Sequence, residues 1–214
     1  MGGALAGLVV LMIGDSHIAM PNYLITSFHD AMEAQGATVN SYGMCGAMAA
    51  DWVLKVTSPC QSERHGTAGP VFTNKSRPTW SISDLIDENH PNLVIVELGD
   101  TMAGYDKPEL PKAWIYEQVH QLTGRIAANH VPCVWIGPIW GAEKSAFHKT
   151  DSRVVEMSQF LAQSVAPCSF IDSTRFARPG EWPTTDGQHL TQAGYRQWSA
   201  DLVASLVQMK SQFH

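Results

Sequence analysis

Short, unbroken apolar runs alternate along the chain with longer stretches whose apolar residues recur at helical spacing. Residues 8–13, 37–42, 92–98, 131–136 and 169–172 are such runs. Their length and their β-branched content predict buried strands rather than helices. The intervening stretches 22–35, 111–129, 152–165 and 191–209 predict helices, with 47–56 as a shorter one. Gly36 stops the first of these, and Thr191 is placed to cap the last. Strands that are apolar throughout and separated by helices imply a parallel sheet covered on both faces. The expectation is a single three-layer α/β/α domain over residues 1–214, with a five-stranded parallel sheet in the flavodoxin-like order 2-1-3-4-5. In such a sheet a ligand site lies beyond the carboxyl ends of the strands. Two stretches break the alternation, the Gly- and Pro-rich 57–81 and the shorter 139–151, and both read as functional loops.

Charge narrows the function classes. Fourteen Lys and Arg stand against twenty Asp and Glu, a net charge of −6 in 214 residues. With no basic cluster, nucleic acid is not an expected partner, because phosphate contacts need positive charge. No apolar run approaches the ~20 residues that a membrane-spanning helix needs. The opening residues lack a charged n-region, so they do not read as an intact signal peptide. The four cysteines, Cys45, Cys60, Cys133 and Cys168, have no metal-ligand spacing. They read either as four buried small residues or as two disulfides, Cys45–Cys60 and Cys133–Cys168. The second reading implies an oxidising, exported location, periplasmic or secreted.

The first strand runs into Gly14-Asp15-Ser16-His17, which puts a serine hydroxyl at the carboxyl edge of the sheet. Alone, that triplet is also what an ordinary turn with a serine cap looks like. Asp186 and His189 stand three apart just before the last helix, in Thr185-Asp186-Gly187-Gln188-His189-Leu190-Thr191. Alone, that pair is also compatible with a solvated loop or a helix first turn. Together they supply the parts that activate a poor nucleophile. His189 takes the Ser16 proton and later returns it, while Asp186 fixes the ring's tautomer.

Gly-Asp-Ser after the first strand, with Asp-Gly-x-His-Leu-Thr before the last helix, resembles the SGNH hydrolases, also called the GDSL esterase/lipase family. The resemblance implies Ser16, Asp186 and His189 as catalytic residues. It also implies an oxyanion hole that joins the Ser16 amide to a glycine and an asparagine. Gly46, in Tyr42-Gly43-Met44-Cys45-Gly46-Ala47, matches that glycine. The family's Gly-x-Asn-Asp is replaced by Gly99-Asp100-Thr101-Met102, so Thr101 stands at the asparagine position. A threonine hydroxyl offers one donor there, whereas an ionised Asp100 would oppose the developing charge. His17, where many members carry leucine, reads as a further polar contact to substrate or as a helix-start residue. The remaining histidines form no ligand set, so neither a metal nor a cofactor is expected.

Of the seven tryptophans, Trp52, Trp114, Trp135 and Trp198 read as core, whereas Trp140 and Trp182 fall in loops at the carboxyl edge. Those two, with His17, are the candidate substrate contacts, as stacking faces for a sugar ring or cover for an acyl chain. The start Gly-Asp-Ser-His and the segment Glu97-Leu98-Gly99-Asp100-Thr101-Met102-Ala103-Gly104-Tyr105 also look like SGNH proteins linked to secreted polysaccharide acetylation. The expected activity is therefore a serine esterase that removes acetyl or other short acyl groups from a saccharide through an acyl-Ser16 intermediate. An O-acetyltransferase with the same triad is the alternative. A carbohydrate-binding module with a degraded site is a third reading, kept open by Thr101. The oligomeric state is left open by the sequence.

Overall fold

The structure, a computed structural model, describes residues 2–143 and 145–213. Met1, Lys144 and His214, which belong to the expected 1–214 range, lie outside the described residues. In chain order the elements are β1 (Val9–Gly14), α1 (Ser16–Ala19), α2 (Leu24–Ala34), β2 (Thr38–Met44), β3 (Thr57–Ser58), β4 (Gln61–His65), β5 (Val71–Thr73) and β6 (Arg77–Pro78). Then follow α3 (Ile82–Asn89), β7 (Leu93–Glu97), α4 (Lys112–Ala128), β8 (Cys133–Ile136), α5 (Asp151–Ser164), β9 (Ser169–Ile171) and α6 (Gln192–Met209). Each apolar run became a strand, and each of the four longer helical stretches became a helix.

The α/β class stands, but the five-stranded parallel sheet of flavodoxin-like order does not. The main sheet is mixed and has seven strands in the order β5-β4-β2-β1-β7-β8-β9. The difference lies at β2, which was expected to be an edge. Residues 57–81, expected as loop, supply β4 antiparallel to β2 and β5 antiparallel to β4, while β3 and β6 pair separately. These strands are two to five residues long and mostly polar, so no apolar run announced them. The expected helix over 47–56 is only a 3-10 turn, Ala49–Trp52, and α3 was not foreseen.

Both faces of the sheet are buried, and the strand period of two divides the core. Leu11, Ile13, Val94, Val96 and Trp135 face one layer with Trp52, α3, α4 and α5. Val10, Met12, Leu93, Ile95 and Val134 face the other, with α2 and α6. Trp52, Trp135 and Trp198 are fully buried, as expected, but Trp114 is 36% exposed on α4 and is not core. The cysteines are paired, Cys45 with Cys60 and Cys133 with Cys168. Among the described residues no helix is long and apolar enough to cross a membrane.

One contact places α1. Gly43 of β2 lies beside Gly14 of β1 in the sheet. A Cβ on Gly43 would fall 2.3 Å from the Ala19 amide nitrogen and 2.5 Å from its Cα. The short helix behind Ser16 therefore rests directly on the β2 backbone. Gly43→Ala should lower stability by ~1–3 kcal/mol, the usual range for overpacking. Urea denaturation measures this, and an unchanged midpoint would contradict the close seating of α1.

Candidate active site

The segments after β1, β2, β7 and β8 and before α6 gather at the carboxyl end of the sheet. Asp15 caps α1 by accepting the His17 N–H at 2.9 Å, which presents Ser16 as the first helical residue. The Ser16 hydroxyl lies 2.8 Å from His189 Nε2. His189 Nδ1 lies 2.7 Å from Asp186 Oδ2. The other carboxylate oxygen of Asp186 accepts the backbone N–H groups of Gln188 at 2.9 Å and His189 at 2.8 Å. The three-residue spacing thus lets one carboxylate hold both the ring and the turn that carries it. Because an ionised carboxylate only accepts, the imidazole carries its proton on Nδ1, and Nε2 is left to accept from Ser16. Burial would raise the Asp186 carboxyl, but the His189 and Gln188 donors outweigh it and hold it below the usual range. Tyr23 stacks on the His189 ring at 5.6 Å, and Phe147 meets it edge-on at 5.9 Å.

These groups open on a cavity of about 440 Å³, lined among others by Ser16, Gly46, Tyr105, Phe147 and His189. Gly46 has φ +72°, in the left-handed region that favours glycine, and an added Cβ would meet nothing within 4 Å. Its N–H has no hydrogen-bond partner among the described residues. The loop that carries it is held by the Cys45–Cys60 disulfide and by Cys45 N–H donating to Cys60 O at 2.9 Å.

Several expected contacts are corrected. Thr101 lines the cavity, but its single hydroxyl proton goes to the Ala47 carbonyl at 2.7 Å. It fastens the Gly46 loop and is not aimed at an oxyanion. His17 is 1% exposed and does not line the cavity. Its Nδ1 lies 2.7 Å from the Tyr195 hydroxyl and its Nε2 lies 2.9 Å from Asp100 Oδ2. Burial outweighs the pull of Asp100 and lowers the His17 ring to about 4, so it is neutral at pH 7. Trp140 donates its indole N–H to Thr174 O at 3.2 Å and Ala177 O at 2.6 Å, and Trp182 packs on the same core layer. Neither tryptophan lines the cavity.

Beneath the site lies a buried polar layer that sequence reading did not foresee as a unit. Asp100 accepts from His17, from the Tyr105 hydroxyl at 2.6 Å, and from the fully buried ammonium of Lys149. Burial alone would raise Asp100, but Lys149 and His17 reverse this and hold it well below the carboxylate range. A lone lysine in a polar loop carries no local mark of burial, so nothing in the sequence singled out Lys149. Ligand atoms of Asp15, His17 and Glu97 also converge within 4.8 Å of one another. Both ring nitrogens of His17 are already engaged, which leaves no lone pair for a metal ion. Asp15 Oδ2 and Glu97 Oε2 have no donor among the described residues. A proton shared between the two carboxyls accounts for them, and burial beside Asp15 raises Glu97 well above its usual value.

That proton sets a pH dependence. Folded Glu97 keeps it at pH values where the unfolded chain has released it, so this contribution is present below the ordinary glutamate range and declines as pH rises. Glu97→Gln removes the ionisation. Its Tm relative to the parent should rise between pH 5 and 8, at about 2–4 °C per kcal/mol for a chain of this size. Thermal melts across that range measure it, and a constant difference would place the proton elsewhere.

No protein-family model matches the chain. Over 207 residues it is 42% identical to Protein BcsX of Komagataeibacter xylinus, covering 95% of this chain and 78% of that protein. A GDSL-like lipase from Bacteroides thetaiotaomicron superposes with a TM-score of 0.59 at 12% identity, over 94% of this chain and 88% of that one. A catalytic mutant of Axe2, an acetylxylan esterase from Geobacillus stearothermophilus, superposes with a TM-score of 0.60 at 12% identity, over 96% of both chains. At such low identity these two structures speak to the fold. The chain belongs to the BcsX family and is built on the SGNH (GDSL) acylhydrolase fold.

Proposed function

We propose that this protein is a serine carboxylic ester hydrolase that removes acetyl or other short acyl groups from a saccharide through an acyl-Ser16 intermediate. The observation that carries the reading is the unbroken line Asp186–His189–Ser16, with Gly46, whose N–H is unpaired among the described residues, lining the same cavity. Ser16 Oγ attacks the ester carbonyl carbon as His189 Nε2 takes its proton. The N–H groups of Ser16 and Gly46 meet the oxyanion, and one such donor can be worth ~10²–10³ in rate. Collapse breaks the ester bond, and His189 returns the proton to the departing sugar oxygen. Water, activated by the same imidazole, then attacks the acyl-Ser16 carbonyl and releases the acid. Asp186 stabilises the imidazolium in both halves.

A short acyl group is supported by the modest cavity of about 440 Å³, lined by Gly104, Tyr105 and Phe147 and also by polar groups such as Asp106 and Gln188. The saccharide follows from the sequence resemblance and from fold neighbours such as the acetylxylan esterase. An exported location is the reading favoured by the two disulfides. An O-acetyltransferase reading is supported by the segment 97–105, whose Asp100 and Tyr105 stand at the site. It differs only in the second acceptor, a sugar hydroxyl in place of water.

Release of p-nitrophenol and acetate from p-nitrophenyl acetate tests the reading, with and without an oligosaccharide acceptor. Ser16→Ala and His189→Ala should each lower kcat by at least about a thousandfold. The parent's rate should fall on acidification, because a protonated imidazole cannot accept the serine proton. Acetylated sugar in place of acetate would select the transferase. Equal turnover by the parent and Ser16→Ala would overturn both enzymatic readings and favour a binding module.

A further inference from the structure

We infer that the Asp100 carboxylate, with Lys149 as its counter-ion, is a clamp that joins three segments around the cavity and sets its selectivity for small acyl groups. The inference rests on the esterase reading and adds Asp100 and Lys149 as positioning residues. The first segment is the nucleophile turn, because His17, next to Ser16, lies 2.9 Å from Asp100 Oδ2. The second is the wall of Gly104, Tyr105 and Asp106, because the Tyr105 hydroxyl donates to Asp100 Oδ1 at 2.6 Å. The third is the wall of Ala146, Phe147 and His148, because Lys149, the next residue, pairs with Asp100 Oδ2. The Lys149 ammonium also stands over the Tyr105 ring, 5.9 Å from its centroid. Both walls therefore end on one carboxylate.

Further contacts close the ring. Arg153, at the start of α5, donates to the carbonyls of Ala103 at 2.9 Å and Gly104 at 2.6 Å. Ala142 N–H donates to Gly187 O at 2.7 Å, which ties the 139–150 loop to the turn holding Asp186 and His189. Phe147, two residues before Lys149, lies edge-on to the His189 ring. A shift at Lys149 therefore reaches both the acyl wall and the general base.

The chemistry favours a positioning role over a stabilising one. A buried ion pair contributes little net stability compared with apolar residues of the same shape, yet it fixes geometry because removing either partner strands a charge. Asp100 and Lys149 are 5% and 0% exposed and cancel in charge, and the neutral His17 adds none. His17, a departure from the family pattern, and Asp100 are thus parts of one feature completed by Lys149.

The test uses the matched double variant Asp100→Asn/Lys149→Met, which strands no charge, and the milder Tyr105→Phe, which removes one arm. Rates on p-nitrophenyl acetate and p-nitrophenyl hexanoate are taken per active site, counted with a serine-directed phosphonate. Loss of fold alone lowers the count of sites and leaves the acetate-to-hexanoate ratio of kcat/KM unchanged. The clamp predicts that the ratio falls at least about threefold in the double variant, a modest part of the ~10-fold or more that one methylene can be worth in a shaped pocket. A smaller change overturns it. Should the double variant not fold, Tyr105→Phe is read against the same threshold. Amide hydrogen exchange over 145–150 is measured in parallel and needs no activity. At least about tenfold faster exchange in the variant supports the clamp, and unchanged exchange overturns it. Absence of Ser16-dependent turnover in the parent would sink the esterase reading, and exchange would then decide the clamp by itself.

Discussion

The end of β1 is confined on both sides: Gly14 pairs with Gly43 of β2 and with Glu97 of β7. The rest of the site follows from that position. On one side the bare β2 backbone lets α1 settle within van der Waals distance of Gly43, so Ser16 emerges at the sheet's rim in a fixed orientation. On the other side the chain leaving β7 delivers Glu97 and Asp100 beneath the nucleophile turn. The five parallel strands β2, β1, β7, β8 and β9 gather such segments at one end of the sheet because each of them finishes there, and the chemistry is assembled from the segments' first residues.

The resulting centre has two tiers. The upper one, Ser16, His189 and Asp186, is partly open to solvent, and Ser16 and His189 line the cavity. The lower one, Asp15, His17, Glu97, Asp100 and Lys149, is buried, and of these Asp100 reaches the cavity lining. Its charges are matched inside the protein. Lys149 answers Asp100, a proton answers the Asp15–Glu97 pair, and His17 is kept neutral by burial. In a low-dielectric layer an unmatched group would be costly, so each side chain has few permitted positions. The layer's contacts reach upward to the Ser16 turn, to Tyr105 and to the loop bearing Phe147.

The oxyanion side is built differently from the pattern that the sequence resemblance implied. Ser16 and Gly46, the proposed backbone donors, line the cavity, and Thr101 ties down the neighbouring Ala47 carbonyl. The Cys45–Cys60 disulfide holds the same loop from the opposite side and anchors it to the strands β3 to β6. The insertion that enlarges the sheet thus also braces the candidate oxyanion hole.

Contiguous sequence determined what short-range physics governs. Strands such as 92–98 were legible as β-branched apolar runs, and α6 was legible from its period and its Thr191 cap. Ser16 and the Asp186/His189 pair were each ambiguous as local turns and were singled out only together, by the resemblance of their two blocks to the family motifs. Tertiary structure decided the rest. The strands β4 and β5 of the polar stretch 57–81 became part of the sheet because β2 offered them a free edge. Trp140 and Trp182 went to packing, and the Thr101 hydroxyl went to a carbonyl 54 residues away. His17 and Asp100 are 83 residues apart, and Lys149 is 49 residues from Asp100. No local pattern records such partners, because a buried charge is defined by what surrounds it in space rather than by its neighbours along the chain.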